Sequence, residues 1–191
     1  MTWTHFLPFT LLAAACSGAA EVKDTADENT PEETDTQNTE TDTTDSDSSG
    51  ASVTAEDNGD IVINELLAKS DITDDWIELY NKSSSEVDLS GWNITDDAGS
   101  EEVPWPFPAG TKIEAGGFLL IWANDGEGGE LSTDFKLSKD GETVTLLDGD
   151  GNVSSEVIFP ALEDEYSAAR TEDGGSEWTV SDASTPGASN Q

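Results

Sequence analysis

From residue 60 onward the chain has no apolar pattern with the helical spacing of three and four residues that runs long enough for a stable helix. Its hydrophobic residues come instead in short stretches, cut by Gly, Pro, Asp and Ser. Ile61-Val62-Ile63-Asn64-Glu65-Leu66-Leu67 is the first of these, and Asp74-Asp75-Trp76-Ile77-Glu78-Leu79-Tyr80-Asn81 the second. Alternation places Ile61, Ile63 and Leu67 on one face of the first strand and Val62, Asn64 and Leu66 on the other. In the second strand Ile77 and Leu79 share a face. Short strands follow at residues 86–89, 91–95, 118–123, 134–137, 142–147, 153–159, 166–170 and 177–180. Trp105-Pro106-Phe107-Pro108 cannot be a central strand, because proline removes a ladder donor. Many short strands with Gly/Pro/Asp turns define an all-β sandwich or barrel, whose core takes alternate residues from each strand.

The net charge is −35 over 191 residues. The acid is not confined to one tail. From Asp60 on, 29 acidic residues face 6 basic ones, which leaves −23 on the part expected to fold. Such a surface repels phosphate backbones, so nucleic acid is excluded as a partner. The residue types that are missing narrow the chemistry further. His5 is the one histidine and Cys16 the one cysteine. The expected domain therefore lacks a Ser-His-Asp or Cys-His nucleophile and a zinc site of the usual kind. Arg170 is the one arginine, and no GxxxxGK[ST] loop occurs, so phosphoryl transfer lacks its cationic clamp. A carboxylate-pair hydrolase or an all-oxygen metal site remains chemically open.

Cys16 follows the apolar run Phe6 to Ala15 and precedes an acidic, Thr-rich stretch. The run is too short to span a bilayer of ~30 Å hydrocarbon thickness and reads as an export signal over residues 1–15. Leu12-Ala13-Ala14-Ala15-Cys16 resembles the lipobox of bacterial lipoproteins, in which the cysteine is acylated. The resemblance implies a membrane anchor at Cys16 and a place at the outer membrane or cell surface. An ordinary secretory signal is the alternative and would leave the protein secreted. Residues 16–58 are rich in Thr, Ser and Asp and nearly free of large apolar side chains. They are expected to form a disordered linker, since such a segment cannot offset its ordering entropy. The folded domain is expected over residues 59–191.

Several residues are candidates for binding. Asp148-Gly149-Asp150-Gly151-Asn152 looks like a fragment of a calcium loop, but Phe159 stands where the bidentate Glu of an EF-hand belongs. The hairpin turn is the plainer reading, with Asp, Gly and Asn supplying positive φ. Asp71, Asp74 and Asp75 form a second acidic cluster; Asp96-Asp97 and Glu163-Asp164-Glu165 are others. Ca²⁺, bound weakly by Asp71, Asp74, Asp75, Asp148, Asp150 and Asn152, is the candidate cofactor. Trp105 and Phe107 are candidates for a stacking platform for sugars, with packing over the sandwich edge as the alternative. Trp92 and Trp122 sit in apolar surroundings and are expected in the core. Asn64, Glu65, Glu78 and Asn81 are polar residues inside strands. They read as partners for loop backbone, because buried polar groups need hydrogen bonds. Glu65 and Glu78 are the pair a hydrolase would need, although no sequence feature sets their separation.

Ile63-Asn64-Glu65, Asp75 to Asn81 and Asp88-Leu89-Ser90-Gly91-Trp92 together resemble the opening of the lamin tail domain found in bacterial surface and secreted proteins. Ala115-Gly116-Gly117-Phe118, Phe135-Lys136-Leu137-Ser138, Gly141 to Leu146 and the closing Thr185-Pro186-Gly187-Ala188-Ser189-Asn190 follow in that family's order. The resemblance implies an immunoglobulin-like β-sandwich without catalytic residues, used for targeting or adhesion. The function expected is a lipid-anchored, non-enzymatic surface module that touches a cell-envelope protein or polysaccharide. A calcium-dependent carbohydrate-binding module is the alternative, and a carboxylate-based hydrolase a more distant one.

Overall fold

The computed structural model describes residues 52–96 and 103–190, and these residues hold strands and turns but no helix. In chain order the strands are β1 (Thr54–Asp57), β2 (Ile61–Leu67), β3 (Asp75–Asn81), β4 (Val87–Asp88), β5 (Asn93–Thr95), β6 (Trp105–Pro106) and β7 (Lys112–Ile113). They continue with β8 (Phe118–Ala123), β9 (Ser132–Thr133), β10 (Gly141–Leu147), β11 (Val153–Pro160), β12 (Ser167–Arg170) and β13 (Trp178–Ser181). One sheet has the order β1-β11-β10-β5-β6 and the other β13-β12-β2-β3-β8-β9; β4 and β7 form a separate two-stranded ribbon. Pairing is antiparallel except between β8 and β9.

The two sheets meet face to face, as the alternating pattern requires. Ile61, Ile63, Ile77, Leu79 and Ile121 from one sheet pack with Ile94, Val144, Leu146, Val157 and Phe159 from the other. The proline-containing β6 lies at a sheet edge, where a missing N–H donor is tolerated. Residues 148–152 close the β10–β11 hairpin, with Asp148 N–H donating to the Asn152 carbonyl at 2.8 Å.

Four sequence expectations are corrected. The first concerns β2. Ile63 pairs with Leu79 and Glu65 with Glu78, so Asn64 is an extra residue in a β-bulge. A bulge shifts side-chain parity by one. Leu66 therefore joins Ile61 and Ile63 in the core, while Leu67 turns to the other face. The second concerns the boundary at residue 59. Thr54–Asp57 already form β1 and pair with residues 155–158 of β11, so the fold begins before the expected end of the linker. The third concerns Trp122. It alternates with the core residues Ile121 and Ala123 and so points to the outer face of its sheet, half-buried. Trp92 does pack against the core. The fourth is small: β9 occupies Ser132–Thr133, and the expected strand at 134–137 is reduced to a bridge between Lys136 and Asn124.

Candidate functional site

The bulge at Asn64 organises a buried polar network on the outer face of the second sheet. Asn64, Glu65 and Glu78 are 0% exposed, as is Asn81, which alternates with Ile77 and Leu79 and so lies on the opposite, core-facing side. Glu65 and Glu78 stand directly opposite each other in the β2–β3 ladder. Like charges in that position normally repel and destabilise a sheet. Here the C-terminal segment runs over them and supplies donors. Thr185 N–H lies 3.0 Å from Glu65 Oε2, and the Thr185 hydroxyl lies 2.9 Å from the same oxygen. Gly187 N–H donates to Glu78 Oε2 at 2.6 Å, and Asn64 Nδ2 donates to Glu78 Oε1 at 3.0 Å. Asp173 adds a third carboxylate, which accepts from Asn64 Nδ2 at 3.2 Å and from Asn190 N–H at 3.0 Å.

The local chemistry of the segment explains the fit. Ala188 N–H bonds the Thr185 carbonyl at 3.0 Å, and Gly187 has φ 78°. Proline at the second position and glycine at the third make this a type II turn, which presents its N–H groups to the carboxylates beneath. Asn190 completes the strap by donating to the backbone carbonyls of Asn64 and Arg170. Burial pushes the Glu78 carboxyl up to about 7, against the pull of its bonds from Asn64 and Gly187, and the charges of Glu65 and Asp173 add to the rise. Asn81 serves the backbone in the same manner, donating to the carbonyls of Ser85, Ile113 and Glu114. The reading of these four residues as partners for loop backbone agrees with this geometry. Asp173 carried no signal in the sequence, because its partners are distant in the chain.

A second polar cluster ties the sheets together. Arg170 is 1% exposed. Its Nε donates to the Ile63 carbonyl at 2.8 Å and its guanidinium lies 4.7 Å over the Trp178 ring. The β2–β12 ladder ends at Glu65, so this side chain satisfies a bulge carbonyl that the ladder does not reach. Asp57 of β1 pairs with Arg170 and also accepts from the Ser155 hydroxyl at 2.7 Å.

The six candidate calcium ligands do not come together. Among the described residues no three His, Cys, Asp or Glu side chains are grouped as a metal would need. Asp148 is occupied in its own hairpin. Its Oδ1 accepts from the N–H groups of Asp150 and Asn152 at 2.9 and 2.8 Å, and the Asn152 side chain bonds the same carboxylate. Those bonds, led by the one from the Asn152 side chain, hold the Asp148 carboxyl below its usual range. Asp71 and Asp74 belong to the β2–β3 connection and Asp75 opens β3, all in the other sheet. Burial raises Asp75 to about 6. Asp97 and Cys16 lie outside the described residues.

The aromatic platform is corrected as well. Phe107 is 4% exposed and its ring belongs to the core. Trp105 meets it edge-on, with ring centroids 5.3 Å apart, and packs against the same core. A buried ring offers no face to a sugar, which leaves Trp105 alone beside a shallow hollow lined by Thr95, Val103 and Phe135.

A larger hollow lies elsewhere. An open groove of about 640 Å³ runs between the Ser70–Asp74 turn and the Asn124–Ser132 loop, with Trp122 between them. The turn is held from below by Glu165, whose carboxylate accepts from Asp71 N–H at 2.7 Å and from the Ser70 hydroxyl at 2.8 Å. Ser70 Oγ in turn accepts from the N–H groups of Ile72 and Thr73, both at 3.0 Å. The sequence reading did not find this groove, since it is assembled from two loops that are not adjacent in the chain.

Comparison with known proteins agrees with this architecture. Residues 54–159 match the family described as Lamin Tail Domain. The match starts at β1 and stops at the end of β11, before the strap. Over 74 residues the sequence is 38% identical to Lamin-C of Drosophila melanogaster, a stretch that makes up 39% of this chain and 11% of that protein. The chain thus corresponds to about a tenth of that relative's length.

Proposed function

Since the chain belongs to the lamin tail domain family, an immunoglobulin-like structural module, we propose that it is a lipid-anchored surface protein whose domain works by contact with a partner and performs no reaction. The family supports a non-enzymatic interaction module. The observation that carries the contact role is the fate of Glu65 and Glu78. A hydrolase needs one carboxylate free to give a proton and one free to take it or to attack. Both are fully buried beneath residues 185–190, and both are engaged by backbone N–H groups of that segment. Substrate would have to displace the strap to reach them. The calcium-dependent sugar-binding alternative loses its support, because its acidic ligands do not converge and Phe107 is inside the core.

The anchor rests on the sequence Leu12-Ala13-Ala14-Ala15-Cys16 and on the acidic linker that follows it. Acyl chains on Cys16 would supply ~0.8 kcal/mol for each buried CH₂, enough in combination to hold the protein at a membrane. The linker would then carry the sandwich away from the lipid surface, where negative charge keeps it from docking flat on anionic headgroups. Fractionation of cells fed an alkyne-tagged fatty acid tests this directly. The unaltered protein should enter the membrane fraction and carry the tag, and Cys16→Ser should be soluble and untagged. A Cys16→Ser protein that stays with the membrane would refute the anchor. Turnover of a glycan or ester that vanishes in Glu65→Gln would refute the contact role.

A further inference from the structure

The groove beside Trp122 has a composition that selects its occupant. Asp71, Asp74 and Glu127 line it, and no Lys or Arg does. Lys136 is within electrostatic reach of Asp74 and Glu127, but its ammonium is paired with Asp125 at 3.1 Å. Two buried polar atoms in the lining are unpartnered within the protein: Asn124 Oδ1 and Ser132 Oγ. Asn124 is 3% exposed and Ser132 8%. The orientation of the Asn124 amide is decided by its neighbours. Its Nδ2 faces two acceptors, Asp74 Oδ2 at 3.1 Å and the Glu127 carbonyl, so Oδ1 must be the bare atom. Ser132 Oγ packs directly against Gly128, where a side chain has no room. A Cβ there would sit 2.6 Å from that oxygen. A buried polar atom without a partner costs stability, and a site that carries two of them is prepared for a ligand that supplies the missing bonds.

The chemistry of a ligand suited to this groove follows from its lining. It must be rich in donors, since three carboxylates line the groove as acceptors and the buried Asn124 amide oxygen beside them lacks a donor. It must carry positive charge. It must also have an apolar portion, because the half-buried Trp122 ring and the 87% exposed Ile72 border the same space. A neutral sugar needs donors as well as acceptors from its site, and a divalent cation favours a group of converging carboxylates, whereas no three His, Cys, Asp or Glu side chains among the described residues are grouped to hold one. A guanidinium or ammonium group on an aliphatic stem satisfies all three conditions, with the stem against the apolar rim and the charged head against the carboxylates and the indole face. We propose that this groove is the docking point for an arginine or lysine side chain of a basic protein partner. The −23 charge carried from residue 60 onward would steer such a partner toward the domain. This inference rests on the contact-module reading above and names the chemistry of its partner.

The test uses the full chain, ¹⁵N-labelled, titrated at physiological ionic strength with N-acetyl-arginine amide. N-acetyl-citrulline amide, of the same shape without the charge, is the control. Arginine amide should give saturable shifts at the Trp122 indole N–H, the Asn124 side-chain amide and the Gly128 and Gly129 amides. Citrulline amide should bind roughly tenfold more weakly or not at all. The double variant Asp71→Asn/Glu127→Gln changes two exposed side chains, keeps a dispersed spectrum, and should lose roughly tenfold in affinity for the arginine probe. Equal binding of citrulline amide would overturn the proposal. So would shifts spread over other acidic turns such as Asp148–Asn152, or a response of the groove amides to calcium or a neutral sugar but not to the arginine probe. A failed titration together with a tagged, membrane-bound protein would remove the groove assignment and leave the anchored contact module standing.

Discussion

Arg170 and Asp57 join the two sheets through an ion pair whose arginine side is buried, with Nη2 2.8 Å from Oδ2 and 2.9 Å from Oδ1. Arg170 sits in β12 of one sheet and Asp57 in β1 of the other. The Arg170 side chain is 0% exposed and that of Asp57 18%. Removing one partner from such a pair leaves a buried charge uncompensated, so Asp57→Ala should cost roughly 3 kcal/mol. Urea unfolding followed by tryptophan fluorescence reads the change as a lower midpoint with an unaltered slope. A loss below about 1 kcal/mol, the range of an exposed pair, would mean the two residues are not held together in solution.

The strap gives a second expectation. Gly187 has φ 78°, and a Cβ built on it would meet no atom within 4 Å. Gly187→Ala therefore tests backbone conformation without steric overlap. It should destabilise the domain by about 1–2 kcal/mol, the cost of a left-handed residue with a side chain. The Thr185 and Gly187 amides should exchange with solvent faster in the variant, because their bonds to Glu65 and Glu78 depend on the turn. Unchanged exchange would show that the strap is not held by these carboxylates.

Stability should depend on pH in a stated direction. Glu78 and Asp75 have folded-state values near 7 and 6, raised by burial above their ordinary 4.5 and 3.8. Between the ordinary and raised values the folded protein binds more protons than the unfolded chain. Stability then falls as pH rises through that window. The contribution of these two groups should be most favourable near pH 4 and diminish steadily to about pH 7. Glu78→Gln should flatten the upper part of this slope. Urea midpoints measured at intervals across the window decide the matter, and a midpoint that rises toward neutrality and is insensitive to Glu78→Gln would contradict it.

Phe107 and Trp105 should separate in their energetic roles. Phe107→Ala opens a cavity in a sealed core and should cost about 3–5 kcal/mol. Trp105 is half-buried at the β6 edge, so Trp105→Ala should cost clearly less and leave the domain folded. Thermal melts of the two variants compare them, and equal losses would mean that the edge ring is as enclosed as the inner one.

Much of this architecture is legible in local pattern. The Ile77/Leu79 alternation, the Asp148–Asn152 hairpin and the exclusion of Trp105–Pro108 from the centre of a sheet all follow from periods and turn residues. The errors have a common cause. Plain alternation separates Leu66 from Ile61 and Ile63, because a one-residue bulge at Asn64 has no mark in the sequence and inverts every alternation after it. Thr54–Asp57 read as linker because a short polar edge strand looks like the segment before it. What holds that strand is β11 and Arg170, both about a hundred residues away.

The order of residue types alone determined that the described residues form short strands rather than helices, that the chain is strongly acidic, and that residues 60–191 lack the His and Cys of nucleophilic and zinc chemistry. These properties belong to composition and near neighbours, and folding does not alter them. The tertiary structure decided which carboxylates are hidden and which are offered. Glu65 and Glu78 are closed under Thr185 and Gly187, whereas Asp71 and Glu127 open onto a groove with Trp122. The reason is that burial and convergence depend on which distant segments meet, and side chains of identical chemistry become structural supports or binding groups according to what covers them.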